Sequence, residues 1–277
     1  MKKLLSPLYF IVVLLTVSCS DTTVVDAPIL INDRVDAPPV SGQFKKRVLI
    51  EDYTGTWCGN CTRVAYAIDQ VFEESDKAVS IAIHNGNDPY HFAGFQPLKD
   101  LISPNNALEL PQSRLNRTTV WTFPEPSNIQ QAINLTSNNC GLGLAMTTAV
   151  NNGNINLDVK VKFAQNYSNL KLVVYVLENN LTYMQRNYTT YYGAVNPVPN
   201  YTHNHVLRAS LTDLLGNPMT QTTIGQTVTK SFSVPVPANI SNAANISFVA
   251  FVVDANNYAL NARAADANEI QHFEENP

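Results

Sequence analysis

Apolar and polar positions along this chain recur with two different periods, and the change of period divides it. After Lys45-Lys46-Arg47, the run Val48-Leu49-Ile50-Glu51-Asp52-Tyr53 reads as a strand. Val64, Ile68, Val71 and Phe72 then recur at i, i+4, i+7 and i+8 while Arg63, Asp69, Glu73 and Glu74 fall elsewhere, which predicts an amphipathic helix. Val79-Ser80-Ile81-Ala82-Ile83 is a second strand. The segment from about 84 to 106 opens on the turn-rich His84-Asn85-Gly86-Asn87-Asp88-Pro89 and continues with Phe92, Phe95, Leu98, Leu101 and Ile102 at helical spacing. It reads as a helical insertion that roofs the cleft at the strand ends. A further run from Leu115 to Trp121 precedes a helix over 127–133, with Pro124 and Pro126 ahead of it and Ser127 as its cap.

From about Gly141 the period becomes two. Leu142 to Val150, the turn Asn151-Asn152-Gly153-Asn154, and the alternating Ile155, Leu157, Val159, Val161 and Phe163 predict a hairpin. Leu170 to Leu177, Val206 to Leu211, Val228 to Val234, Ile246 to Val253 and Tyr258 to Ala264 bring the total to about seven strands, the number expected of an immunoglobulin-like sandwich. The expected organisation is an α/β domain over 44–137 followed by an all-β domain over 138–277. Between the strands, the connection from Asn179 to Tyr201 holds Tyr183, Tyr188, Tyr191, Tyr192 and Tyr201 among Asn, Thr and Pro. Tyrosine with asparagine is the composition of adaptable contact surfaces, so Tyr188, Tyr191 and Tyr192 are candidate binding residues, with packing onto the sandwich as the alternative. His203 and His205, two apart on an expected strand, would share a face and are further candidate binding residues that could ligate a metal; with no third ligand in view a structural role is the alternative, and no metal site is assigned.

The N-terminus adds an address. Lys2 and Lys3 precede an apolar run from Leu8 to Val17, too short to span a bilayer, which ends in Leu15-Thr16-Val17-Ser18-Cys19. The segment 1–18 resembles bacterial lipoprotein signals, although Leu15 lies four residues before the cysteine where three is commoner. The resemblance implies cleavage before Cys19 and a diacylglyceryl anchor on its thiol; ordinary secretion is the alternative. Residues 19–43, polar and bearing Pro28, Pro38 and Pro39, read as a tether. With 14% charged residues and a net charge of −4, the chain presents no basic field for nucleic acid, and its membrane contact would be through the lipid.

The candidate chemistry sits between the first strand and the first helix, in Trp57-Cys58-Gly59-Asn60-Cys61. A cysteine attacks a disulfide as thiolate, and the first turn of a helix favours the anion through unpaired N–H groups and the macrodipole. Cys58 is therefore the expected nucleophile and Cys61, one turn on, the resolving thiol. The uncharged Gly59-Asn60 spacer gives no indication of a strong oxidant. A zinc site would need two more ligands, and no second pair of this spacing exists. Cys140 is left over as a free thiol at the domain junction.

Strand, CxxC turn and helix resemble the thioredoxin-like superfamily. That resemblance implies that Asp52, six residues before Cys58, accepts a proton from Cys61. It also implies that Pro111, in Leu110-Pro111-Gln112-Ser113, is the cis-proline facing the disulfide. The whole arrangement is more particular. The signal, Glu51-Asp52-Tyr53-Thr54-Gly55-Thr56 running into the CxxC motif, Leu115-Asn116-Arg117, and His203-Asn204-His205-Val206-Leu207-Arg208 resemble the 28-kDa outer-membrane lipoprotein family of Bacteroidetes. Membership implies a lipoprotein in the outer membrane of a Gram-negative bacterium, with a thioredoxin-like domain followed by a β-rich one. Two functions are open: thiol–disulfide exchange on the thiols and disulfides of exported proteins, needing no cofactor, or binding of a surface ligand by a non-catalytic scaffold whose CxxC pair is a static disulfide.

Overall fold

The structure is a computed structural model that describes residues 44–105 and 108–276. The signal, Cys19 and the tether lie outside the described residues. Elements follow in the order β1 (Phe44–Lys46), β2 (Val48–Thr54), α1 (Thr62–Glu74), β3 (Ala78–His84), α2 (Phe95–Ile102), β4 (Gln112–Leu115), β5 (Thr119–Val120) and α3 (Ile129–Ile133). The second half contributes β6 (Ser137–Cys140), β7 (Leu142–Asn151), β8 (Asn154–Phe163), β9 (Lys171–Glu178), β10 (Leu181–Gln185), β11 (Val198–His203) and β12 (Val206–Ser210). It closes with β13 (Asn217–Pro218), β14 (Thr227–Pro235), β15 (Ile246–Val253) and β16 (Ala259–Asp266). Strands far outnumber helices, and the protein is β-rich. Among the described residues no helix is long and apolar enough to cross a membrane.

The large sheet runs in the order β16-β15-β9-β12-β3-β2-β4-β5, with β13 paired to β9. β2 and β3 are parallel and in register from Val48↔Ala78 to Thr54↔His84. Both faces of this sheet are covered, which explains why β2 and β15 are buried along their whole length and read as continuous apolar runs. Alternation then assigns each side chain to a face. Val48 and Ile50 pack with Val64, Ala67, Ile68 and Val71 of α1, whereas Leu49 and Tyr53 pack on the opposite side with Phe95 and Leu98 of α2. By the same parity Asp52 belongs to the α1 side. Glu51 points the other way, where Arg117 lies 3.8 Å from it and both residues are fully buried.

A second sheet, β14-β8-β7, packs its Leu144, Met146, Val159 and Val161 against Val174, Val176, Phe248 and Ala250 of the large sheet. The opposite parity of β15, Val249 and Phe251, packs on the α2 side. The hairpin joining β7 to β8 turns through Asn152 and Gly153 at φ 47° and 75°, as the Asn-Gly signal requires.

Several expectations are corrected. The seven strands of the second half are present, but β9, β12, β15 and β16 extend the sheet that β2 and β3 begin, so the division after Ser137 does not separate two sheets. The joint is Val206↔Ala82, with the Ala82 amide donating to the His205 carbonyl at 2.8 Å, and the described residues fall in one compact unit. The 115–121 run is a tight β4–β5 turn rather than one strand, because Asn116 and Arg117 sit at φ 46° and 72°. The late helix is capped at Asn128 instead of Ser127, which belongs to a short 3-10 turn, Glu125–Ser127. Phe72, expected on the buried face of α1, is 37% exposed. The helical part of the insertion does not roof the CxxC cleft: α2 covers the sheet face opposite α1, and only the turn at its start, through Asn85 and Asp88, reaches the CxxC motif.

Candidate functional site

β2 delivers the chain to a tight turn in which the Cys58 amide donates to the Gly55 carbonyl at 3.0 Å and the Cys61 amide to the Cys58 carbonyl at 3.2 Å. Cys58 and Cys61 form a disulfide with their Cα atoms 5.4 Å apart. Cys61 is the N-cap of α1, so Cys58 lies one turn ahead of the helix and not in its first turn. The opening amides of the helix turn to main-chain partners, Arg63 to Asn60 and Val64 to Cys61, rather than toward Cys58. Both cysteines are enclosed, Cys58 at 5% and Cys61 at 1% exposure.

Two segments enclose them. On one side the loop after β3 holds the residues just before Cys58. Asp88 accepts from the Thr56 amide at 2.6 Å, the Tyr90 amide at 2.7 Å and Nδ1 of His84 at 3.0 Å. Burial pushes the Asp88 carboxyl up, but these donors outweigh it and leave it below the ordinary carboxylate range. The Trp57 indole N–H donates to the Asn85 carbonyl at 2.7 Å, which fixes an otherwise half-exposed ring.

On the other side lies the tyrosine-rich connection. It is the β10–β11 hairpin and its loop, folded over the CxxC turn. Gln185 Nε2 donates to the Cys58 carbonyl at 3.0 Å and the Gly55 carbonyl at 3.2 Å. The amides of Arg186 and Tyr188 donate to the carbonyls of Thr56 and Gly59 at 2.8 and 2.7 Å. The Thr62 hydroxyl donates to Asn187 Oδ1 at 2.8 Å. Tyr191 stacks on Tyr66 with centroids 4.2 Å apart, and the Tyr192 hydroxyl donates to Asp69 at 2.7 Å. Tyr191 and Tyr192 are thus engaged with α1 and do not form a free contact surface; Tyr188 stays 61% exposed.

Beneath the hairpin is a cavity of about 350 Å³ between α1 and β11, whose lining includes Asp52, Cys61, Ser80, His84, Tyr201 and His203. Its floor is the α1-side parity of β2 and β3. Asp52 is 4% exposed and its Oδ1 has no hydrogen-bond partner. Burial, reinforced by Glu125 and only partly countered by Arg63, pushes its carboxyl well above the ordinary range. Arg63 is itself occupied, with Nε 2.6 Å from Glu125. The His203 ring is also buried with Nε2 unpartnered, and burial together with neighbouring His84 lowers its pKa to about 4.

The sequence-derived residues therefore divide. Asp52 and Cys61 line one cavity, with Cys58 bonded to Cys61. The Leu110–Pro111 peptide is cis and leads into β4, whose Gln112 and Ser113 pair with Tyr53 and Asp52, but Pro111 does not line the cavity. His203 and His205 do not share a strand face, because His205 lies beyond β11 at φ 57°; their rings pack on Tyr201 and Phe72 respectively. Among the described residues no group of three or more His, Cys, Asp and Glu side chains has metal-binding geometry. Cys140 is free and buried in β6, opposite Phe44, and burial raises its thiol pKa. The sequence reading missed Gln185, Asn187 and Asp88. Only Asp88 carried a signal, the Asn-Asp-Pro turn beside a strand-ending histidine.

The family model described as outer membrane protein Omp28 matches residues 100–271, a span that begins after both motif cysteines. A solved structure described as HBP35 of Porphyromonas gingivalis is 22% identical, with a TM-score of 0.61 over 83% of this chain and 78% of that one. That likeness is one of fold. A domain of the outer membrane lipoprotein Omp28 from Porphyromonas gingivalis is 18% identical over 48% of this chain and 100% of that one, at a TM-score of 0.32. No curated protein matches.

Proposed function

Since the chain belongs to the Omp28 family of outer membrane proteins, we propose that it is a lipid-anchored protein of that membrane which exchanges disulfides with exported polypeptides through Cys58 and Cys61. The anchor is the diacylglyceryl group on Cys19, and the strand–CxxC–helix unit with β3, β4 and α3 is thioredoxin-like. One observation carries the redox reading: a carboxyl group, that of Asp52, is buried without a partner for Oδ1 in the cavity that Cys61 also lines. A static disulfide gives no reason to keep an unpaired acid beneath it, whereas exchange needs a group that holds a proton there.

A substrate thiolate attacks Sγ of Cys58; the Cys58–Cys61 bond breaks, a mixed disulfide forms, and Cys61 leaves as thiolate. Asp52, protonated because burial raises its pKa, returns a proton to Cys61. A second thiol of the substrate, as thiolate, attacks the substrate sulfur of the mixed disulfide and releases Cys58. Two electrons have then passed from the substrate dithiol to the Cys58/Cys61 pair; the two substrate protons go to solvent, from which the Cys58 thiolate and the Asp52 carboxylate are reprotonated. In reverse, the Cys58 thiolate attacks a substrate disulfide and releases one substrate thiolate; the Asp52 carboxylate then takes the proton from Cys61, whose thiolate attacks Cys58, re-forms the Cys58–Cys61 bond and releases the second substrate thiolate.

The low exposure of the disulfide favours the second reading, a surface binding protein on a non-catalytic scaffold. The two separate on the rate of exchange with a small thiol. Under the exchange reading glutathione or dithiothreitol opens the disulfide, and Asp52→Asn slows that opening by about 100-fold or more, the low end of acid–base contributions. A disulfide that neither reagent opens in the folded protein, or a rate unchanged in Asp52→Asn, overturns it.

A further inference from the structure

We propose that the face of the CxxC turn carrying the Thr56 and Gly59 carbonyls is a docking site for an extended segment of another polypeptide, and that the chain's own residues 185–188 occupy it in this state. The manner in which the hairpin loop is held points to this. Arg186 and Tyr188, two residues apart, both donate their amides to this turn, at 2.8 and 2.7 Å. Alternate amides on one edge are what an extended chain offers when it adds to an exposed backbone edge, and main-chain pairing of this kind is indifferent to most of the partner's sequence.

The side chains between and beside those amides define the rest of the recognition. Asn187, 3% exposed, turns inward, accepts from Thr62 across the contact and from Thr189 within its own loop, and donates to the Tyr191 and Val195 carbonyls. The Tyr188 ring lies where Gly59 has no side chain; a Cβ there would stand 2.2 to 2.5 Å from the ring. The site therefore takes a small polar residue followed by an aromatic one, in extended conformation. The bound segment also closes the disulfide, since Gln185 caps the Cys58 carbonyl and the cysteines beneath are almost fully enclosed.

The occupant is an internal competitor. Tethered at both ends, it acts at an effective concentration on the order of millimolar, so a free peptide of ordinary affinity does not displace it. A partner segment does so when it is itself joined to Cys58 through a mixed disulfide, which makes its own binding intramolecular. This part rests on the exchange reading; the docking does not.

The register of the hairpin supplies a clean test. Gln185 pairs with Val198, so residues 186–197 can be replaced by Asn-Gly, a two-residue turn that leaves β10 and β11 paired. The probe is a synthetic peptide of the sequence Met184 to Tyr191, with a second copy N-methylated at the positions of Arg186 and Tyr188. We expect the peptide to bind the shortened chain at least tenfold more tightly than the full chain, and N-methylation to abolish the difference. Bound peptide should slow reduction of the disulfide by dithiothreitol at least tenfold. In case the shortened chain fails to fold, Tyr188→Pro in the full chain removes one of the two donors and should bind the peptide measurably where the parent does not. Equal binding to parent and both variants, binding to none, or indifference to N-methylation overturns the docking site. Peptide binding with a disulfide that still does not exchange would instead retain the docking site and remove the exchange reading.

Discussion

Replacing Asp52 by Asn should change the slope of stability against pH more than its level. In the fold the carboxyl is held protonated well above the ordinary range, first by burial and then by Glu125, with Arg63 a partial counterweight. In the unfolded chain it ionises near pH 4. Between these two values the folded protein holds a proton that the unfolded chain has released, so the wild type loses stability as pH rises, by up to about 1.4 kcal/mol per pH unit for this one group. Below pH 4 both states are protonated and the penalty is absent. Asn cannot titrate. Its amide adds whatever fixed offset the site imposes, but none of the slope. Denaturant unfolding of wild type and Asp52→Asn from pH 4 to 8, with the disulfide intact, reads the difference directly. The variant should gain on the wild type as pH rises above 4, until the folded carboxyl itself ionises. A gap that stays flat across this range, or that widens in the opposite direction, would refute the assignment of a buried, proton-holding carboxyl at position 52.

Other outcomes follow from neighbouring groups. His203 is kept neutral, its pKa near 4 against an ordinary 6.5. The unfolded chain gains a proton there first, so acidification from 6.5 to 4 should cost about 3 kcal/mol through this residue. His203→Gln should flatten that acid limb in the same unfolding measurements, and an unchanged limb would contradict it. Arg63→Ala leaves Glu125, 4% exposed, without its 2.6 Å partner and should destabilise the protein by about 3 kcal/mol, read as a shift in urea midpoint at constant slope.

The local architecture was legible because it is written in adjacent residues. The alternation of β8, the Asn-Gly turn before it and the strand–turn–helix unit around the CxxC motif all appear where the apolar periods place them. What stayed hidden depends on partners far away in sequence. β12 looks like one more sandwich strand, yet it joins β9 to β3 through Ala82, which lies more than a hundred residues earlier. The tyrosine-rich segment has the composition of an open contact loop, yet its Gln185 side chain and its Arg186 and Tyr188 amides are satisfied by the carbonyls of Gly55, Cys58, Thr56 and Gly59, more than a hundred residues earlier. Arg117 reads as a charged turn residue, but it is buried against Glu51 with its Nη2 donating to the Leu214 carbonyl at 2.8 Å. Helix ends shifted by a residue or more for a simpler reason: capping is decided by geometry that the apolar period does not encode.

If Cys58 exchanges disulfides with exported polypeptides, trapping in the native envelope captures the mixed disulfide. A Cys61→Ser chain cannot resolve a mixed disulfide by closing back on Cys58. Expressed with its own signal and separated without reductant, it should accumulate adducts of higher mass that collapse to the free chain on reduction and that vanish when Cys58 is also replaced by Ser. Absence of Cys58-dependent adducts across oxidising and reducing growth conditions would contradict the account.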